Sequence, residues 1–139
     1  TGLCAGAMPH AEGVLLVMTK LNKILHINQD TATATVQPGV RNLALTDAAK
    51  PFGLYYAPDP SSQIACTIGG NVAENSGGVH CLKYGLTVNN LLQVTLVTIE
   101  GQLITFGGEG LDEPGMDLLS LFVGSEGLLG VVLEAKVKL

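Results

Sequence analysis

Two glycine pairs, Gly69–Gly70 and Gly77–Gly78, bracket Asn71–Ser76, a short segment without a basic residue. Glycine has no Cβ, so its backbone can approach a ligand closely and take positive φ, at an entropic cost on ordering. A second cluster, Gly124–Ser125–Glu126–Gly127–Leu128–Leu129–Gly130, precedes an apolar stretch. The chemistry such loops offer is anion binding by main-chain amides. Successive N–H groups in a concave turn, or at the start of a helix, present several donors to one phosphate. Each hydrogen bond to a charged group is worth roughly 1.5–3 kcal/mol. Three or four outweigh repulsion from remote carboxylates, which salt screens beyond about 8 Å. A phosphate-bearing cofactor is therefore expected.

The competing reading is that these glycines only make turns and tight packing. No G-x-G-x-x-G and no G-x-x-x-x-G-K-[ST] occurs, which argues against a Rossmann dinucleotide turn and a P-loop. Asn71 and Asn75 suit an anion site because an amide donates and accepts without adding negative charge. Both also suit a helix start or a turn, and Glu126 also reads as a solvated carboxylate. His80 and Cys81 are adjacent, but neighbours on an extended segment face opposite ways and no third ligand is well spaced, so no metal site is expected. His10 and His26 read as surface or packing residues, and Asp59 as a turn residue between Pro58 and Pro60.

Elements must hold these loops. Gly13–Met18 reads as a buried strand and Ile24–Asn28 as another. Thr31–Pro38 alternates, with Ala32, Ala34 and Val36 on one face. Val40, Leu43, Ala44, Ala48 and Phe52 recur at helical spacing, and Pro51–Gly53 closes that helix. Thr67 can cap a short helix starting near Gly69, with Val72 and Ala73 inward. Leu91–Ile99 is the clearest strand. Glu100–Gly101 turns it into Leu103–Phe106. Asp117–Val123 suits a short helix, and Val131–Leu139 a final strand with its odd-numbered residues on one face. Without a regular βαβ rhythm, the class is α+β: a mixed sheet with flanking helices.

A length of 139 residues with 47% hydrophobic content fits one well-packed domain. A net charge of −5 with seven scattered basic residues disfavours nucleic acid as a partner. Cys4, Cys66 and Cys81 form no CxxC pair and read as reduced thiols in an intracellular protein. No apolar run reaches the roughly 18–20 residues of a membrane span. The chain begins at Thr1–Gly2 rather than Met, so it reads as a segment of something longer.

The stretches TIGGNVAENSGG (Thr67–Gly78), KYG (Lys83–Gly85) and GSEGLLGVVLEAKVKL (Gly124–Leu139) resemble the FAD-binding domain of the vanillyl-alcohol oxidase / p-cresol methylhydroxylase flavoproteins. Within that family the likeness is to the branch that oxidises small 2-hydroxy acids such as glycolate and D-lactate. The resemblance covers nearly the whole chain. It implies that residues 1–139 are a partial FAD-binding domain, lacking the start of the N-terminal subdomain and a C-terminal substrate domain. It implies that Thr1, Gly2 and Leu3 edge a first phosphate loop. Pro58, Thr67, Gly69, Gly70, Asn71, Ala73, Asn75, Gly77 and Gly78 would wrap the pyrophosphate and approach the isoalloxazine. Glu126, Gly130 and Val131 would lie near the ribose and adenine. Tyr84 would pack near the flavin or in the core.

The expected activity is hydride transfer from a 2-hydroxy acid to flavin, glycolate giving glyoxylate, with electrons passing to partner subunits. Carboxylate-binding and catalytic residues, and any divalent metal, belong to the substrate domain, so no catalytic residue is named in this segment. The FAD is expected to be non-covalent, since Cys4 is the only reactive candidate in the first loop. The expected location is cytoplasmic or peripheral at the inner face of a bacterial membrane. The alternatives are a D-lactate or other 2-hydroxy-acid dehydrogenase, and a non-catalytic binding module.

Overall fold

The computed structural model describes residue 8, residues 10–109 and residues 114–139. Its frame is a five-stranded sheet built from two hairpins and one late strand. Strands β1 (Ile24–Asn28) and β2 (Thr33–Val36) form the first hairpin. The Asn28 side chain makes its turn by accepting from the amides of Asp30 and Thr31, and Ala32 takes the left-handed conformation. Strands β3 (Leu91–Val97) and β4 (Leu103–Gly107) form the second hairpin, closed by Gly101 at φ 78°. Strand β5 (Val131–Lys138) lies between β2 and β3, giving the order β1-β2-β5-β3-β4. The α+β class with flanking helices holds. Where a mixed sheet was expected, every pairing among the described strands is antiparallel.

The alternation expected in β5 fails at its start. Thr95 pairs with Glu134 but Leu96 pairs with Val132, so Leu133 is an inserted residue. Such a bulge reverses which side chains face the core. Val132, Ala135 and Val137 are buried, and Val131 and Leu133 only partly.

The helices cover one side. Helix α1 (Asn42–Ala49) continues into a 3-10 turn at Lys50–Phe52. Its inward face is Asn42, Leu45 and Ala49 rather than the predicted Leu43, Ala44, Ala48 and Phe52; Phe52 is 44% exposed. The face is rotated by one residue because a polar group, Asn42, points into the interior. Helix α2 (Ile68–Glu74) packs on β5, with Ile68 and Val72 fully buried. Burying each such side chain contributes roughly 1.5–3 kcal/mol. Two single turns follow, α3 (Cys81–Tyr84) and α4 (Thr87–Asn90), neither visible in the sequence pattern. Helix α5 (Leu118–Phe122) rests on β4, where the Phe122 and Phe106 rings lie 6.3 Å apart.

Gly13–Met18 is not a strand. Val14 is 96% exposed, and no described strand pairs with the segment.

Candidate functional site

Thr67 caps α2 as its sequence position predicts: Oγ1 accepts from the Gly70 amide at 3.3 Å. The rest of the first turn is also satisfied internally. Ile68 donates to the Val40 carbonyl, Gly69 to Pro38 and Asn71 to Thr67. Of these four amides only Gly70 is held by a long side-chain bond, so it is the one most easily yielded to a ligand. The notion that the whole helix start offers free donors does not hold.

No described hydrogen bond engages the amides of Gly77, Gly78, Val79, Gly127, Leu129 and Gly130. These are the main-chain donors that remain.

The second glycine cluster docks on the far end of α2. The Gly124 amide donates to the Val72 carbonyl at 2.9 Å, and Glu126 to Ala73 at 2.9 Å. Helix ends leave carbonyls with spare acceptor capacity: this loop fills the Ala73 carbonyl and adds a second, shorter bond to the Val72 carbonyl, which also accepts from Asn75 at 3.4 Å. Glu126 adopts φ 53° to do so, and its side chain is exposed.

Docking creates a cleft of about 190 Å³. Thr67, Gly69, Gly70 and Ala73 form one wall and Gly127, Gly130, Val131 and Val132 the other, with Met18, Pro38 and Phe122 between. Six residues singled out in the sequence thus converge here: Thr67, Gly69, Gly70, Ala73, Gly130 and Val131. No lining residue carries a charge.

The glycines divide by what a Cβ would meet. At Gly70 the nearest atom is Thr67 Oγ1 at 3.4 Å, and at Gly127 nothing lies within 4 Å. At Gly69 a Cβ would sit 2.5 Å from the Pro38 Cβ. At Gly77 it would collide with the Leu86 side chain, and at Gly78 with the Asp59 backbone. Gly69 and Gly78 are therefore required by the protein's own packing, whatever else they contact, whereas at Gly77 only the tip of the Leu86 side chain would have to move aside. Gly70 and Gly127 leave room for a ligand.

Other predicted side chains face inward. Pro58 is fully buried and Asn71 is 2% exposed. Asn71 Oδ1 accepts from Asn42 at 2.9 Å, and its amide donates to the Cys66 sulfur at 3.3 Å. Asn75, left-handed at the end of α2, accepts from the Val88 amide at 3.0 Å. Thr1, Gly2, Leu3 and Cys4 lie outside the described residues.

A second cleft, of about 350 Å³, is lined by Thr46, Tyr55, Tyr56, Ala57, Asp59, Gln63, His80 and Tyr84. Asp59 is more than a turn residue: its carboxylate lies 2.5 Å from His80 Nδ1. His80 stands at the start of α3, so it and Cys81 do not share an extended segment as expected. The Tyr55 and Tyr84 rings meet edge to face at 6.1 Å, and the Lys83 ammonium lies 4.8 Å from the Tyr84 centroid. Hydrogen bonding from Tyr55 and then Lys83 lowers the pKa of the half-buried Tyr84 phenol. Burial pushes Tyr56 up strongly. Thr87 beside it acts in the opposite direction, and the Thr87 hydroxyl itself donates to the Ser76 carbonyl at 2.8 Å.

Sequence reading missed Asn42, and it read Asp59 and His80 apart. No signal in the chain joins residues 21 positions apart. Among the described residues no cluster of three or more His, Cys, Asp or Glu could hold a metal ion. No described helix is long and apolar enough to cross a membrane.

The arrangement fits a flavin dinucleotide. The uncharged cleft beside α2 has open glycines at Gly70 and Gly127. Free amides at Gly127 and Gly130 stand at its second wall, suited to a phosphate.

Comparison with known proteins agrees. The profile described as "FAD binding domain" matches residues 1–107. Over 139 residues, its whole length, the chain is 63% identical to the glycolate oxidase subunit GlcD of Escherichia coli strain K12, covering 28% of that protein. It is 49% identical over 140 residues to GlcD of Bacillus subtilis strain 168, all of this chain and 30% of that one. With a D-lactate dehydrogenase of Anaerostipes hadrus, identity is 39% over 139 residues, 99% of this chain and 29% of the other. The chain thus spans under a third of the length of these curated relatives.

Proposed function

Because the chain belongs to the FAD-binding domain family, we propose that it is the flavin-holding part of a 2-hydroxy-acid oxidoreductase whose substrate is glycolate. FAD is the cofactor, and it supplies a hydride acceptor when bound. The protein's own part is to grip and orient it.

The observation that carries this reading is the convergence of Thr67–Ala73 and Gly127–Val132 on one uncharged cleft. Gly70 leaves the backbone open to a phosphate, and Gly127 and Gly130 offer it amide donors. Apolar Ala73, Val131 and Val132 exclude water beside them. Thr67, Gly69, Gly130 and Val131 are the contacts expected at this cleft. Pro58, Asn71 and Asn75 act from behind by fixing the backbone. Gly77 and Gly78 bring the loop of residues 77–79, with its free amides, against Asp59. Glu126 contributes through its backbone placement and lies near the ribose. Thr1, Gly2 and Leu3 complete the phosphate site from a first loop. The cofactor is held non-covalently.

The substrate assignment rests on identity of 63% to a glycolate oxidase subunit against 39% to a D-lactate dehydrogenase. Substrate-binding and proton-accepting groups come from the remainder of a longer protein, and electrons leave through partner subunits. That protein works in the cytoplasm or against the inner face of the membrane.

The test is anaerobic flavin bleaching in the full-length protein. Glycolate should bleach it faster than D-lactate or D-2-hydroxyglutarate at equal concentration. Faster bleaching by D-lactate would transfer the assignment to that acid, and a protein that never retains flavin would end it.

A further inference from the structure

One side chain is tied to chain segments that line each of the two clefts. Asn42, at the first turn of α1, is 1% exposed. Its carboxamide nitrogen donates to the Pro58 carbonyl at 3.0 Å and to Asn71 Oδ1 at 2.9 Å. Pro58 lies between Ala57 and Asp59, which line the larger cleft. Asn71 follows Gly69 and Gly70, which line the smaller one. The two acceptors fix which end of the Asn42 amide is nitrogen, since an oxygen there would face two oxygens. The Asn42 backbone amide adds a third tie by donating to the Cys66 carbonyl at 3.0 Å.

Asn42 is an expensive way to fill this space. Its Oδ1 is buried without a partner. An unpaired buried acceptor costs stability, which an apolar residue of similar shape would not incur at that atom. The geometry therefore favours placement over packing.

We propose that Asn42 is a positioning residue for the flavin site, setting the wall at Thr67–Ala73 against the wall at Ala57–Asp59. It acts through Pro58 and Asn71, and the inference rests on the flavin reading above.

The experiment compares Asn42→Ala with Leu45→Ala in the full-length flavoprotein. Leu45 is equally buried on the same helix but lines neither cleft. Thermal melting first measures what each substitution costs the fold. FAD dissociation constants and the visible circular dichroism of the flavin at saturating FAD are then recorded. Asn42→Ala should weaken FAD about tenfold beyond Leu45→Ala, the scale of one buried hydrogen bond lost. It alone should alter the flavin dichroism band. Should Asn42→Ala not fold, Asn42→Ser keeps a donor but lacks the reach to span both acceptors, and is read the same way. Equal weakening in the two variants with an unchanged band overturns the proposal. A wild-type protein that never binds flavin overturns the reading beneath it as well, so the two failures are distinct.

Discussion

The Glu126 amide donates to the Ala73 carbonyl at 2.9 Å, joining the loop after α5 to the end of α2. The second glycine cluster thus spends part of its donor capacity holding the first. Glu126 sits at φ 53°, where a side chain is strained. Glu126→Gly should therefore raise thermal stability by up to about 1 kcal/mol, as relief of a left-handed non-glycine position does. If its carboxylate also lies near the ribose, the same variant loosens FAD; a titration beside the melting curve reads both.

Gly69 and Gly70 are neighbours with opposite expectations. Gly69→Ala places a methyl against Pro38, an overpacking that should cost about 1–3 kcal/mol in melting experiments. Gly70→Ala has room and removes a glycine from a helix, so stability should hold or rise by up to about 1 kcal/mol. Flavin retention should nevertheless fall in Gly70→Ala, because its open side faces the cleft. A Gly70→Ala protein that is both more stable and unchanged in FAD affinity would remove Gly70 from the site.

The Tyr56 hydroxyl is buried without a hydrogen-bond partner. Its folded pKa is pushed above the unfolded value of about 10 by burial. The neutral phenol is thus favoured by folding. Its contribution is complete below about pH 10 and drains away as pH rises beyond it. Tyr56→Phe should leave neutral-pH stability equal or slightly higher and move the onset of alkaline unfolding upward. Chemical denaturation at stepped pH from neutral to strongly alkaline checks this.

Much of the frame was legible because strands declare themselves by β-branched runs and turn residues. Ile24–Asn28 forms as read, and Leu91–Val97 with Leu103–Gly107 makes the expected hairpin. The Thr67 cap was legible for the same local reason. What escaped was set by distant partners. Apolar content alone suggested burial for Gly13–Met18, but no described strand flanks it. Four-residue turns such as Cys81–Tyr84 are too short to show a period. The bulge at Leu133 exists only through its pairing with β3, so the alternation could not announce it. Asn42 lies outside the apolar stripe Val40, Leu43, Ala44, Ala48 and Phe52 that was read for α1. Its inward turn depends on acceptors at residues 58 and 71. The glycines were recognised as important, but sequence could not separate Gly70, open to a visitor, from Gly78, pressed on Asp59.

Of the five described strands, the one that completes the sheet comes last in the chain. Until β5 slots between the two hairpins, β2 and β3 face each other across an unfilled gap, and neither hairpin has its inner neighbour. Gly130 and Val131, at the entrance of that strand, arrive with it. The α2 side of the cleft therefore gains its opposite wall only when β5 is seated, so an intact sheet is a condition for a complete cleft.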